Sequence, residues 1–166
     1  MITLEPITPE VALIFKAVRL RALQDSPAAF SSTYAKESKL TDDEWLKRSV
    51  RWASDGSIGY IAFDKKNACG LVACYAEDEH PSRAHVISMW VDPAYRRAGV
   101  GKMLIDALTP WATARGLHEL KLMVVSLNQS AIEFYERIGF RKSGVTGPYP
   151  NDPAIMEYEM LLPLHL

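Results

Sequence analysis

The spacing of apolar and polar residues changes period several times along this chain, and each change predicts an element. Ile2 to Ile7 reads as a short strand, stopped by Pro6 and Pro9. From Glu10 onward, Val11, Ile14, Phe15, Val18 and Ala22 recur at helical spacing until Pro27 ends the run. The segment "SPAAFSSTYAKES" is a loop of small residues. Thr41 and Glu44 then form a capping box that opens a second helix, with Trp45 and Trp52 on one side. After the turn "SDG", three strand-like runs follow: Ser57 to Phe63, Ala68 to Ala76 and Ala84 to Val91. The connections "DKKNA" and "EDEHPSR" have hairpin lengths.

Further on, Val100, Met103, Leu104, Ala107, Leu108 and Trp111 make an apolar stripe at helical spacing. Pro110 falls inside it and predicts a kink or a stop near Thr109, while Gly116 closes the element. Leu120 to Val125, "LKLMVV", lacks polar alternation and predicts a strand buried on both faces. Gln129 to Ile138 is a helix ended by Gly139, and two final strands, Arg141 to Val145 and Ala154 to Leu162, are joined by a loop, "TGPYPND". With no repeat, linker or low-complexity tract, residues 1–166 read as one mixed α/β domain of about seven strands and about four helices.

Composition narrows the partners. The 166 residues are 48% hydrophobic and 23% charged, ordinary globular proportions. A net charge of −1 offers no global field for nucleic acid or an anionic membrane, so any phosphate must be held by local geometry. No apolar run approaches the roughly 20 residues of a membrane span, and the N-terminus lacks a basic start before an apolar core; the expected setting is the cytoplasm. Cys69 and Cys74, five apart in one predicted strand, should face opposite sides as small buried apolar residues rather than form a disulfide or metal pair.

One stretch carries chemistry. In "VDPAYRRAGVGKML", two arginines and two glycines sit between a strand and a helix. Free N–H groups at a helix start, reinforced by the helix dipole, suit an anion, and glycine lets the backbone approach it closely. The P-loop pattern fails, because Gly101-Lys102 is followed by Met103, and the dinucleotide pattern fails at Leu104. Arg96 and Arg97 beside the amides suit a pyrophosphate.

"VDPAYRRAGVG" resembles the acetyl-CoA-binding segment of the GNAT (Gcn5-related N-acetyltransferase) family, whose pattern [RQ]-x-x-G-x-[GA] is filled by Arg96, Gly99 and Gly101. A second block, "NQSAIEFYERIGF", is similar at Asn128, Ala131, Tyr135, Gly139 and Phe140. The order of elements runs as in that family along nearly the whole chain. The resemblance implies an α/β (α+β) fold with a mostly antiparallel sheet whose fourth and fifth strands splay apart. It also implies direct transfer of an acetyl group from acetyl-CoA to an amine, without a metal or a covalent enzyme intermediate. The pyrophosphate would lie on Arg96, Arg97, Ala98, Gly99, Val100, Gly101 and Lys102, chiefly on backbone groups. Backbone of Met89, Trp90 and Val91 would hydrogen-bond the pantetheine and the acetyl carbonyl.

Four side-chain roles follow from the same resemblance. Asn128 would contact the cofactor, its alternative role being to cap the next helix, a task Ser130 with Glu133 could take. Tyr135 would protonate the departing thiolate; on position alone it is an aromatic beside Phe134 on a buried face. His85 falls where several members carry a glutamate base, and can instead be a hydrogen-bonded strand histidine; Glu77, Asp78 and Glu79 are fallback bases. Phe30, Tyr34 and Tyr149 lie in the two segments over which acceptors enter in the family. The implied acceptor is a small-molecule amine first and a protein N-terminus or lysine second, with a non-catalytic acyl-CoA sensor as the rival class. Homodimers are common in the family.

Overall fold

The computed structural model describes residues 1–165. In chain order the elements are β1 (Ile2–Pro6), α1 (Ala12–Asp25), α2 (Tyr34–Glu37), α3 (Asp42–Trp52), β2 (Ser57–Asp64), β3 (Asn67–Ala76), β4 (Arg83–Val91), α4 (Val100–Ala114), β5 (Glu119–Val125), α5 (Gln129–Arg137), β6 (Arg141–Tyr149) and β7 (Asp152–Pro163). They form a seven-stranded sheet in the order β1-β2-β3-β4-β5-β7-β6. Every pairing is antiparallel except β4 with β5.

Each face of the sheet has its own core. On one side Leu104, Ile105 and Leu108 of α4, with Ile132 and Phe140, cover Val86, Leu120, Leu122 and Met160. On the other, Phe15, Val18 and Leu23 of α1 and Trp45 of α3 cover Ile61, Phe63, Leu71 and Trp90. Phe15 and Trp45 meet edge to face, with ring centroids 5.4 Å apart. The predicted cap holds: Thr41 Oγ1 accepts from the Glu44 amide at 3.2 Å.

Four expectations are corrected. First, of the kink or stop expected near Thr109, the stop does not occur: α4 runs through Pro110 to Ala114. Pro110 is exposed, so the carbonyl it leaves unpaired faces water, while buried Leu108 and Ala112 hold the helix to the sheet on either side. The end at Gly116 is as expected: this glycine has φ +73°, and the Leu117 amide donates back to Ala112 at 3.0 Å.

Second, β5 is buried along its whole length on one face only, the other being closed only at Val125. Leu120, Leu122 and Val124 face the α4 core, whereas Lys121 and Met123 are half-buried, because α1 and α3 cover the β1–β4 side of the sheet. Third, Cys69 and Cys74 are both buried in the same α4-side core. Ala62 pairs with Gly70 and Phe63 with Ala68, so Cys69 is an inserted bulge residue that shifts the strand's alternation. Burial raises both thiol pKa values, that of Cys74 to about 12, which keeps them as unreactive thiols. Fourth, the loop expected between the last strands is itself strand, with Tyr149 paired to Asp152 across a tight turn.

Candidate functional site

The site begins where β4 and β5 part. They pair only at Arg83 with Glu119, Ala84 with Leu120 and His85 with Lys121, and beyond these residues the strands separate. β4 also breaks step with its other neighbour. Ala73 pairs with Ile87 and Leu71 with Trp90, so Ser88 and Met89 oppose Val72 alone. Ser88 sits in left-handed backbone at φ +59°, which is uncommon for a residue with a side chain. This bulge opens the inner edge of β4 beside the parting strands.

The opening leads into a cavity of about 550 Å³. Its walls include Met89, Trp90 and Val91 of β4, Met123, Val124 and Val125 of β5, and Phe134 and Tyr135 of α5; its mouth carries Arg96, Arg97, Gly99, Gly101, Lys102 and Asn128. Ten residues singled out in the sequence thus converge. Of the residues assigned to the cofactor, Ala98 and Val100 do not line the cavity: Val100 is buried in the core and Ala98 is exposed in the turn.

The glycines of the turn do different work. Gly99 is the N-cap of α4 at φ +83°, where it supplies no side-chain cap. The first amides of α4 therefore face the mouth with the positive end of the helix dipole behind them. Gly101 matters for space: a Cβ there would lie 2.8 Å from Phe134 Cζ and 3.2 Å from Met89 Cε.

Asp25, which the sequence reading missed, braces the turn from the end of α1. Its Oδ2 accepts from Trp90 Nε1 at 3.0 Å and Ser26 Oγ at 2.7 Å, and pairs with the Arg96 guanidinium. Burial pushes the carboxyl pKa up, but these donors and the Arg96 charge outweigh it and hold it below the usual carboxylate range. Arg96 also donates through Nε to the Val91 carbonyl at 2.9 Å. Its guanidinium thus fixes the turn, leaving the backbone amides and the exposed Arg97 at the mouth. An aspartate at a helix end gives no sequence signal of a contact 71 residues away.

Asn128 caps α5, its Oδ1 accepting from the Ala131 amide at 3.3 Å, so the Ser130–Glu133 alternative is not used, and Asn128 still lines the mouth. Tyr135 lies in the cavity wall between Phe134 and Phe140, with centroids 5.3 and 5.6 Å away. Burial raises its phenol pKa well above the ordinary 10, which keeps the proton on the oxygen.

His85 does not line the cavity. Its neighbours Ala84 and Val86 are buried in the α4-side core, which places His85 on the opposite face. There Nδ1 is 2.9 Å from Tyr75 Oη, and Lys121, Glu77 and Glu159 lie near. Burial and then the Lys121 charge lower the imidazole pKa below 6.5, against the opposing pull of Glu77 and Glu159. The ring is therefore neutral at pH 7. Glu77 is half-buried beside Lys121 at 3.5 Å, whereas Asp78 and Glu79 are exposed.

Phe30 and Tyr149 are buried and Tyr34 is partly exposed at the start of α2. Tyr149 Oη donates to the Phe30 carbonyl at 2.6 Å, and Asn151 Nδ2 donates to the carbonyls of Phe30 at 2.9 Å and Ser32 at 3.3 Å. The β6–β7 turn thereby clasps the segment between α1 and α2. Ser26 and Ala29 of that segment reach the cavity, so the two sides of the β4–β5 opening communicate.

Residues 20–140 match the family model described as the acetyltransferase (GNAT) family. An N-acetyltransferase of uncharacterised role from Methanocaldococcus jannaschii is 28% identical over 150 residues, covering 87% of this chain and 60% of the relative's length. The chain thus spans well under two thirds of that relative. A GNAT-family acetyltransferase structure from Streptococcus pneumoniae superposes with a TM-score of 0.81 at 24% identity, covering 99% of this chain and 100% of that one. An acetyltransferase from Salmonella typhimurium, solved with its cofactor acetyl-CoA, gives a TM-score of 0.79 at 17% identity over 100% of this chain and 95% of the other. At these identities the two structures establish the likeness of fold. No helix among the described residues is long and apolar enough to cross a membrane.

Proposed function

The chain belongs to the acetyltransferase (GNAT) family, and from that premise we propose that it transfers an acetyl group from acetyl-CoA directly to an amine. One observation carries this reading: the uncapped start of α4 at Gly99 and the wall of Tyr135 lie at one cavity that opens between β4 and β5. A phosphate-bearing donor with a long thin arm fits that arrangement. Its pyrophosphate would meet the amides of residues 99–102 and its arm would lie along the free edge of β4.

The chain's residues then divide the chemistry. The neutral amine attacks the acetyl carbon, and the oxygen that gains charge accepts a hydrogen bond from a backbone amide of the Met89–Val91 segment, which lines the cavity. Collapse breaks the C–S bond, and Tyr135 donates its proton to the leaving sulfur. The leaving thiolate, whose conjugate acid has a pKa about 8.5, is a weaker base than a phenolate, which burial of Tyr135 makes more basic still, so the proton is shared as sulfur gains charge rather than fully released beforehand. The acceptor amine loses its own proton toward His85, which is neutral at pH 7 and lies on the face opposite α4 and α5. Both cysteines are buried with raised pKa values, which favours direct attack over a covalent acyl-enzyme.

The proposed acceptor is a small-molecule amine, entering beside the segment clasped by Tyr149; a protein N-terminus or lysine is the second choice. Release of free thiol from acetyl-CoA, measured across amino acids, polyamines, aminoglycosides and peptide N-termini, tests this. Acceptor-dependent release supports transfer. Tight acetyl-CoA binding with no acceptor across the panel would instead support a sensing module.

A further inference from the structure

Arg19, on α1 and outside the cavity, has all three of its guanidinium nitrogens engaged. Its Nε and Nη2 donate to the two carboxylate oxygens of Glu37 at 3.0 and 2.9 Å, a bidentate pair. Its Nη1 donates to Ser88 Oγ at 3.2 Å, and its guanidinium lies 4.9 Å from the Phe30 ring centroid. Glu37 is 2% exposed and also accepts from Arg48 Nη1 at 2.8 Å. It is the one buried residue of the short helix α2.

The arm that reaches Ser88 is the informative one. Ser88 is the left-handed residue of the β4 bulge, and such a conformation persists only where surrounding contacts over-determine it. The next residue, Met89, begins the wall of the cavity. A buried, doubly anchored guanidinium is stiff, whereas a serine hydroxyl alone is a free rotor. Arg19 therefore connects the cover on one side of the β4–β5 opening to the residue that precedes the cavity wall at Met89.

We propose that Arg19, with Glu37 as its counter-charge, is a positioning residue for the acyl site: it pins the Ser88 bulge and so aims the Met89 backbone amide into the β4–β5 opening. This rests on the functional reading above only for what the amide does, and not for where it points. Sub-ångström errors in such a donor lower turnover more than they weaken binding of the donor molecule as a whole.

The test uses Arg19→Gln, Arg19→Lys, Ser88→Ala and the Arg19→Gln/Ser88→Ala double variant. Arg48→Gln serves as control, since it weakens the same carboxylate cluster without touching Ser88. Arg19→Gln and Ser88→Ala should each lower kcat about tenfold with KM for acetyl-CoA changed less than about twofold; the double variant should be no slower than the worse single one. Arg19→Lys should recover part of the loss, and Arg48→Gln should lower the melting temperature with kcat within about twofold of wild type. In the ligand-free protein, the Met89 amide resonance should move in Arg19→Gln and stay in place in Arg48→Gln. An unmoved Met89 amide in folded Arg19→Gln overturns the proposal; if that variant does not fold, a Ser88→Ala protein with kcat within about twofold of wild type overturns it. Absence of acetyl transfer by the wild-type protein would count against the functional reading alone, because the resonance is read without substrate.

Discussion

Replacing Gly101 with alanine tests whether this glycine serves space rather than backbone conformation. The new Cβ would stand 2.8 Å from Phe134 Cζ, and ordinary contact begins at 3.4 Å, so the ring must retreat by 3.4 − 2.8 = 0.6 Å. Met89 Cε, at 3.2 Å, must give as well, although it is the end of a flexible side chain. Overpacking of this kind costs about 1–3 kcal/mol. Alanine recovers up to about 1 kcal/mol of helix propensity over glycine. With that gain in full the net loss is about 0–2 kcal/mol, which for a chain of this size lowers the melting temperature by up to about 8 °C. Phe134 and Met89 both line the cavity, so the displaced ring also narrows the space for the donor. Thermal unfolding and calorimetric titration with acetyl-CoA would read both effects, and affinity should fall about tenfold, equivalent to about 1.4 kcal/mol. Adding Phe134→Leu, which shortens the obstructing side chain, should restore part of both losses non-additively. A Gly101→Ala protein as stable as the parent and with equal affinity would refute the steric reasoning.

Three other outcomes follow from the site. Tyr135→Phe should leave acetyl-CoA affinity unchanged and lower kcat by about 10²- to 10⁴-fold, the usual contribution of a proton donor; turnover near wild type would remove Tyr135 from that role. With His85 as base, kcat/KM should fall as pH drops through its lowered pKa, below 6.5, and His85→Gln should abolish that acid limb; an identical profile in the variant would exclude the histidine. Burial alone would raise the Glu37 carboxyl, but hydrogen bonding and charge from Arg19, aided by Ser32 and Arg48, hold it below its ordinary 4.5. Its contribution to stability is therefore present above pH 4.5 and lost as pH falls through the lowered value; chemical denaturation should show a shallower acid decline in Glu37→Gln, and parallel curves would contradict this.

Much of the site is written in local sequence. The Gly99–Gly101 turn, the Thr41 cap and the aromatic face of α5 depend on residues within one helical turn of each other, and so could be read from spacing. What escaped depends on distant contacts or on a single inserted residue. The bulge at Cys69 turns an odd separation into a shared face, and nothing in "NACGLVACYA" marks it. The apolar run of β5 suggests two buried faces, yet only the placement of α1 and α3 decides which faces are covered. Pro110 is tolerated because its side of α4 meets water, a fact of packing rather than of pattern. Asp25 and Arg19 act across 71 and 69 residues of chain respectively, and their partners are invisible without the fold.

The clasp between the β6–β7 turn and the segment after α1 has a consequence for how this protein can diversify. Tyr149 and Asn151 grip carbonyl oxygens of Phe30 and Ser32, not their side chains. The fastening is thus indifferent to which side chains the gripped segment carries. Exposed positions such as Ser31 can be exchanged while the clasped segment keeps its outline, provided Phe30 still fills its buried place. With the acceptor route proposed above, a lineage or a designer could retune what enters there without rebuilding the frame around it.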